Sequence, residues 1–334
     1  MQRRPDLQLV GQPFANNRHL GRIDRRRAAA LVWRHDNDHP TLTGPAMTVP
    51  AAHPTTTRGS TLLLTGLAML AFAGNSVLCR LALKHTDIDA ASFTVLRIAS
   101  GALMLWFLLR WRSAGKPMAG SWPGALALVV YAAGFSMAYV HLETGTGALL
   151  LFGAVQLSML SYGFLRGERL GLQGAAGLLL AMAGLLVLLL PGASAPPLGS
   201  ALLMLVAGLA WAVYSLLGKG SGDPLAATTG NFVRGIPIAL ACALPFLHDL
   251  RYDPAGAGFA LLSGAVASGL GYAIWYAAVA RLAAIQAATV QLSVPIIAAT
   301  AGILLLGEAL TLTLAVSSIA VLGGVGLVLG SKVR

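Results

Sequence analysis

The chain consists of long apolar stretches separated by short polar, glycine-containing or proline-containing joints, from Thr61 almost to the C-terminus. Each stretch approaches the roughly 20 residues that an α-helix needs to cross about 30 Å of hydrocarbon. Strand-like alternation of apolar and polar residues is absent and Leu, Ala and Gly dominate, which favours helices over a barrel. The pattern therefore predicts an all-α integral membrane protein with ten transmembrane helices.

The predicted spans are residues 61–83, 90–109, 122–141, 146–165, 170–190, 198–217, 225–247, 258–280, 285–306 and 311–329. Residues 1–58 differ from them, since they hold three consecutive arginines at positions 25–27 and scattered Asp, Asn and Pro. This composition predicts a disordered basic tail. Met47 is an alternative start, in which case residues 1–46 would not belong to the protein.

Composition agrees with this class, because hydrophobic residues make up 56% of the chain and charged residues 10%, against about 25% charge in soluble domains. The net charge of +11 raises the question of nucleic-acid binding, but nine of the 23 basic residues precede Gly59 and most others lie between spans. Membrane orientation explains those loop residues better. We expect a lipid bilayer as the surroundings, no nucleic-acid partner, no cofactor and no metal.

The basic residues also predict orientation. Nine fall on the side that includes the C-terminus: Arg110, Arg112, Lys116, Arg166, Arg169, Lys219, Arg281, Lys332 and Arg334. Three fall on the other side: Arg80, Lys84 and Arg251. Under the positive-inside rule, this bias predicts that both termini are cytoplasmic, which requires an even number of spans.

Short motifs recur at nearly constant offsets. Leu96-Arg97 is echoed by Val233-Arg234, 137 residues later, and the Gly-Glu-x-Leu at 167–170 returns at 307–310, 140 residues later. Two similar offsets indicate a duplicated unit of five helices. Because five is odd, the second copy enters the membrane from the opposite side, and inverted repeats are typical of secondary transporters with a solute site between the repeats.

The segment 71–83, the Val-Leu-Arg ending at Arg97, and the two Gly-Glu-x-Leu segments before glycine-rich spans resemble EamA-type members of the drug/metabolite transporter superfamily. The resemblance covers residues 61–329. It implies a ten-helix carrier of a bacterial inner membrane with repeats at 59–192 and 193–334, commonly an exporter of amino acids or other metabolites.

Polar side chains inside spans are the candidate solute-binding residues. Arg97 and Arg234 would bind a solute carboxylate, or they pair with a nearby carboxylate or reach an interface. The full candidate set is Asn75, Arg97, Gln156, Arg234, Trp275 and Gln291. Aromatic residues for stacking on a solute, or for packing, are Trp211, Tyr214, Tyr272, Trp275 and Tyr276.

Ionisable residues near the ends of the spans suggest two further roles. His141 and Glu143 close the third span, where a proton-linked or ion-linked role stands beside that of an ordinary solvated loop. Glu168 and Glu308 precede the fifth and tenth spans, where a carboxylate complements the positive end of a helix dipole. We expect both to be structural.

Other classes of function find little support. The sequence holds no His-Glu-x-x-His, no paired intramembrane aspartates and no Gly-x-Ser-x-Gly, so we do not expect an enzyme; nor does it hold a Thr-Val-Gly-Tyr-Gly channel filter. A small-molecule carrier is the prediction, with an intramembrane enzyme or a pore as alternatives. The Gly326-x-x-x-Gly330 spacing indicates close helix packing, with a homodimer contact left open.

The charge bias predicts that a cysteine replacing Lys332, in a background without Cys79 and Cys242, reacts with a membrane-impermeant thiol reagent only from the cytoplasmic side. Labelling in intact cells compared with inverted vesicles checks this. Rapid labelling in intact cells would contradict the orientation.

Overall fold

The structure is a computed structural model that describes residues 58–113, 115–165, 171–190, 195–218, 221–282 and 290–331. Within these ranges the chain forms ten long helices and no strand. They are α1 (Arg58–His85), α2 (Ala90–Arg112), α3 (Trp122–Tyr139), α4 (Thr144–Leu165), α5 (Leu172–Leu189), α6 (Leu198–Gly218), α7 (Pro224–Ala243), α8 (Pro254–Val279), α9 (Ser293–Leu306) and α10 (Leu312–Leu329).

Nine of these helices are long and apolar enough to cross a membrane, and α9 is a shorter apolar helix of 14 residues. Residues 283–289, which the predicted ninth span partly includes, lie outside the described residues, as does the predicted tail up to residue 57. Large aliphatic side chains such as Leu172 and Leu312 are exposed by 80% or more. In a membrane protein such exposed apolar residues contact lipid, and the ten-helix prediction is confirmed.

Helix packing is approximately symmetric: exchanging the two halves of the chain leaves the main helix pairs the same. Three pairs join equivalent helices: α2 with α7, α4 with α9, and α5 with α10. Every other major contact has a counterpart, since α3 packs on α6 as α8 packs on α1, and α4 packs on α6 as α9 packs on α1. This arrangement is the one expected of a duplicated five-helix unit. The repeat boundaries at residues 192 and 193 stay a prediction.

Aspartate caps link the halves at both ends of the bundle. Asp89 caps α2 by accepting from the N–H groups of Ala91 and Ser92, and it also accepts from the N–H of Arg251 at 2.8 Å. Burial opposes ionisation of Asp89, but these hydrogen bonds prevail and lower its pKa. A single short side chain thus starts one helix and holds the loop of the other half against it.

The equivalent residue Asp223 caps α7 through the N–H of Ala226. Its carboxylate also pairs with Arg112, the last residue of α2, at 2.6 Å and with Lys116, in the segment between α2 and α3, at 3.2 Å. Burial is again outweighed by hydrogen bonds and these cations, and the pKa of Asp223 is lowered. In both halves, therefore, the aspartate that caps a helix also binds a segment of the other half, and the two contacts lie at opposite faces of the membrane.

The contact between α5 and α10 depends on two facing glycines. A Cβ atom at Gly177 would lie 2.6 Å from the carbonyl oxygen of Gly324, and one at Gly324 would lie 2.5 Å from that of Gly177. Gly323 and Gly326 have open space where a Cβ atom would project. Close packing of α10 on α5 therefore uses Gly324 and not Gly326, the first glycine of the Gly326-x-x-x-Gly330 spacing.

We predict that Gly324→Ala lowers thermal stability in detergent, because the added methyl forces the two backbones apart at a cost of about 1–3 kcal/mol. Gly323→Ala is the matched control, and there the better helix propensity of Ala should leave stability unchanged or slightly higher. Equal melting temperatures for the two variants would contradict the packing described.

Candidate solute-binding cavity

A small cavity lies inside the bundle between helices of both halves. Its volume of about 20 Å³ is the space that one water molecule needs. The lining residues come from α1, α3, α4, α6 and α8: Phe72, Asn75, Ser76, Tyr131, Phe135, Leu151, Phe152, Trp211, Ala267, Ser268 and Tyr272. Six of these eleven side chains are aromatic, and none is acidic. A metabolite can occupy this space only after helices move apart.

Arg97 of α2 lies beside this cavity and is 2% exposed. Its Nη2 donates to the hydroxyl of Tyr131 at 3.0 Å, and its Nε lies 3.4 Å from the hydroxyl of Ser268. The guanidinium carbon lies 5.2 Å from the ring centre of Tyr131 and 4.8 Å from that of Phe135. All three neighbours line the cavity, so Arg97 lies behind the wall and contacts it without being a lining residue itself.

The charge of Arg97 is only partly compensated. Among the described residues no carboxylate lies within 4 Å of its guanidinium, and its Nη1 has no hydrogen-bond partner. Aromatic faces attract a cation, but burying a full charge at membrane depth normally requires a counter-ion or water. Nη1 is therefore a buried, positively charged donor beside the cavity for which the described residues supply no acceptor.

Asn75 extends the polar network around Arg97. Its Oδ1 accepts from the hydroxyl of Ser263 at 2.6 Å, and its Nδ2 lies 3.4 Å from the Tyr131 hydroxyl. Tyr131 thus faces two donors, which leaves its own proton available to donate elsewhere. Ser76, which also lines the cavity, has a buried hydroxyl without a hydrogen-bond partner among the described residues.

A local irregularity of α8 brings its hydroxyls to this network. Residues 263–270 form a π-helical segment, a feature that is frequent at functional sites. Ser263 begins this segment and Ser268 lies within it, and their hydroxyls reach Asn75 and Arg97 respectively. Gly264 lets the segment approach α2, because any side chain there would collide with the carbonyl oxygen of Arg97.

The predicted aromatic residues divide into two layers. Trp211 and Tyr272 line the cavity and contact each other with ring centres 5.2 Å apart. Trp275 lies behind Phe72 at 5.9 Å and does not line the cavity. Tyr214 packs against Trp211 at 5.4 Å and, like Tyr276, lies outside the lining.

Three further predicted binding residues are not among those that line the cavity. Gln156 is buried in α4, and Gln291 is half-buried just before α9. Arg234, the repeat mate of Arg97, is only partly buried and donates to the carbonyl oxygens of Ala119 at 2.7 Å and Gly230 at 3.0 Å. Its long side chain reaches back toward the loop end of α7, so the two arginines are not equivalent.

His141 and Glu143, for which an ion-linked role was predicted, lie between α3 and α4. His141 is exposed and Glu143 is half-buried. Partial burial and the nearby charge of Glu308 raise the pKa of the Glu143 carboxyl, while Arg80 and Lys84 oppose the shift. A proton-linked role for His141 and Glu143 stays a prediction. Glu168 lies outside the described residues.

Glu308 stabilises a helix start, but not the one next to it in sequence. Its carboxylate accepts from the N–H of Thr144 at 2.8 Å and the Thr144 hydroxyl at 3.1 Å, at the beginning of α4. Thr311 is the residue that caps α10. The Glu308 carboxylate, which we expected to complement the dipole of α10, therefore complements the dipole of α4.

Ten apolar helices with this pairing and a polar cavity between the halves define a polytopic membrane transport protein. The sequence profile of the EamA-like transporter family matches residues 198–330. A Pseudomonas aeruginosa protein described as uncharacterized is 63% identical over 273 residues, covering 81% of this chain and 95% of that protein. An Archaeoglobus fulgidus protein described as an uncharacterized transporter is 27% identical over 280 residues, covering 79% and 96%.

A solved crystal structure of a protein whose description states no function has the same fold. It superimposes with a TM-score of 0.60 at 19% identity, covering 81% of this chain and 98% of the other. With the profile match and the 63% identical relative, the chain belongs to the EamA-like transporter family and is a membrane transporter.

We predict that Tyr131→Phe lowers thermal stability by about 1–3 kcal/mol, because buried donors of Arg97 and Asn75 lose their shared acceptor. Tyr214→Phe is the control, since the buried Tyr214 hydroxyl lies 3.5 Å from the uncharged Thr228 hydroxyl. Equal melting temperatures for the two variants would show that the Tyr131 hydroxyl does not support Arg97.

Proposed function

We propose that this carrier exports amino acids or related small carboxylate-bearing metabolites across a bacterial inner membrane by alternating access, with both termini in the cytoplasm. The observation that carries the proposal is the buried Arg97 beside the cavity, whose Nη1 has no hydrogen-bond partner among the described residues. A solute carboxylate would supply the missing counter-charge and accept from this nitrogen.

The remaining surface of the cavity suits the body of such a solute. Its aromatic rings offer apolar contact and can also attract an ammonium group. The hydroxyls of Ser76 and Tyr131 provide hydrogen-bonding groups of either kind. Among the described residues no acidic side chain lines the wall, and the positive charge of Arg97 lies beside it; this combination disfavours solutes that carry only positive charge.

Transport rather than catalysis fits this arrangement. The cavity brings together one cation, hydroxyls, an amide and aromatic rings, whereas covalent catalysis needs a nucleophile beside a general base. Alternating access also explains the closed volume of about 20 Å³, because the solute is released only when one half of the helices moves relative to the other.

Proteoliposome flux over a panel of labelled L-amino acids, nucleobases and quaternary ammonium compounds tests the function. We expect saturable flux of at least one amino acid or related carboxylate. Arg97→Ala should weaken its apparent affinity roughly ten- to hundred-fold, through loss of about 1.5–3 kcal/mol. Arg97→Lys should recover part of it, because an ammonium lacks the planar fork.

Arg234→Ala is the matched control, since it removes an arginine at the repeat-equivalent position whose side chain serves the loop at Ala119. It should leave apparent affinity unchanged in protein of equal purity. Flux confined to nucleobases or quaternary ammonium compounds, or full flux by Arg97→Ala, would contradict the proposal.

A further inference from the structure

A buried ion pair stands between the cavity and the predicted outer face. Arg80 of α1 and Glu308, in the turn between α9 and α10, are 7% and 8% exposed. The Arg80 Nε lies 3.4 Å from the Glu308 Oε1. Among the described residues, Glu308 is the one buried carboxylate, whereas the acids of the loops are half-buried or exposed.

The pair ties together four elements from both halves of the chain. The Nη1 of Arg80 donates to the carbonyl oxygens of Tyr139 and Val140, both at 2.9 Å, at the end of α3. The carboxylate of Glu308 accepts from Thr144 at the start of α4. Helices α1, α3 and α4 are thereby fastened to the turn between α9 and α10.

This fastening lies directly outward of the cavity. Arg80 follows the cavity residue Ser76 by one helical turn, about 6 Å along α1. Tyr139 follows the cavity residue Phe135 by one turn of α3, and their ring centres are 4.7 Å apart. A solute leaving toward the predicted outer face has to separate these elements.

The opposite end of the bundle is more open. A groove of about 550 Å³ lies between α2, α7 and α8, with Leu108, Arg112, Leu225 and Tyr276 among its lining residues. The ion pair at that end joins Asp223 to Arg112, whose side chain is 53% exposed. Water therefore reaches the inner ion pair, while the outer pair is sealed.

We propose that Arg80 and Glu308 form the outer gate of the transport path, closed in this conformation and broken when the outer side opens. A buried ion pair suits this role, because its two charges are compensated by each other when dry and by water when the path opens. The gate rests on the carrier function of the chain and not on the identity of the solute.

The native Cys79 reports on this gate. It is fully buried and directly precedes Arg80. Cys242 is exposed and is replaced by Ser. In right-side-out vesicles, a membrane-impermeant methanethiosulfonate reagent should label Cys79 slowly. Glu308→Gln should accelerate labelling roughly tenfold or more, since the open state gains population when a charged contact of the closed state is lost.

Asp223→Asn is the matched control, because it makes the same change in the inner ion pair and should leave outside labelling of Cys79 slow. Combining Arg80→Gln with Glu308→Gln should add little to either single change, as both break one contact. Unchanged labelling of folded Glu308→Gln protein would contradict the gate and would mean that the ion pair only stabilises the fold.

Flux provides the second readout. The paired change Arg80→Met with Glu308→Leu replaces the ion pair by apolar contact, which water does not stabilise in the open state. We expect folded protein with flux reduced at least roughly tenfold, matching the lower population of the open state. Full flux in folded protein would overturn the gate; if this variant does not fold, the labelling of Glu308→Gln decides.

Discussion

The buried charge of Arg97 is the constraint on which the centre of this protein depends. A guanidinium at membrane depth without a carboxylate partner is costly, and its surroundings are arranged to reduce that cost. Tyr131 accepts one of its hydrogen bonds, Ser268 approaches its Nε, and two aromatic faces lie within about 5 Å. Among the described residues Nη1 stays without a partner, and under the proposed function a solute carboxylate would accept its hydrogen bond.

The two-fold architecture explains how such a site can be both buried and reached. Equivalent helices pair across the halves, and Asp89 and Asp223 hold the loops at opposite faces by the same device. The halves nevertheless differ where function requires it. Arg97 contacts the cavity-lining Tyr131 and Ser268, whereas Arg234 donates to the loop at Ala119. Among the described residues, the ion pair in which both partners are buried lies at the predicted outer end. Alternating access needs two ends that can open in turn, and this asymmetry supplies one closed end and one looser end.

The helices could be predicted from the sequence because hydropathy at membrane length is a strong signal, and Arg97 and Asn75 stood out because polar groups within spans are rare. Tyr131, Ser263 and Ser268 were not predicted, since nothing in the local sequence distinguishes them from the other tyrosines and serines within spans. The repeat predicted Arg234 beside Arg97. Its long side chain instead donates to the carbonyl oxygen of Ala119. Glu308 was expected at α10 and instead serves α4, a tertiary contact that local sequence does not encode.

The central claim is that Arg97 meets the carboxylate of the solute, and ligand-protein double-mutant cycles test it most directly. Binding of each transported amino acid and of its amide would be measured on the native protein and on Arg97→Ala. The account predicts that the native protein prefers the acid over the amide by roughly ten- to hundred-fold and that Arg97→Ala loses this preference. An equal preference in both proteins would contradict the account.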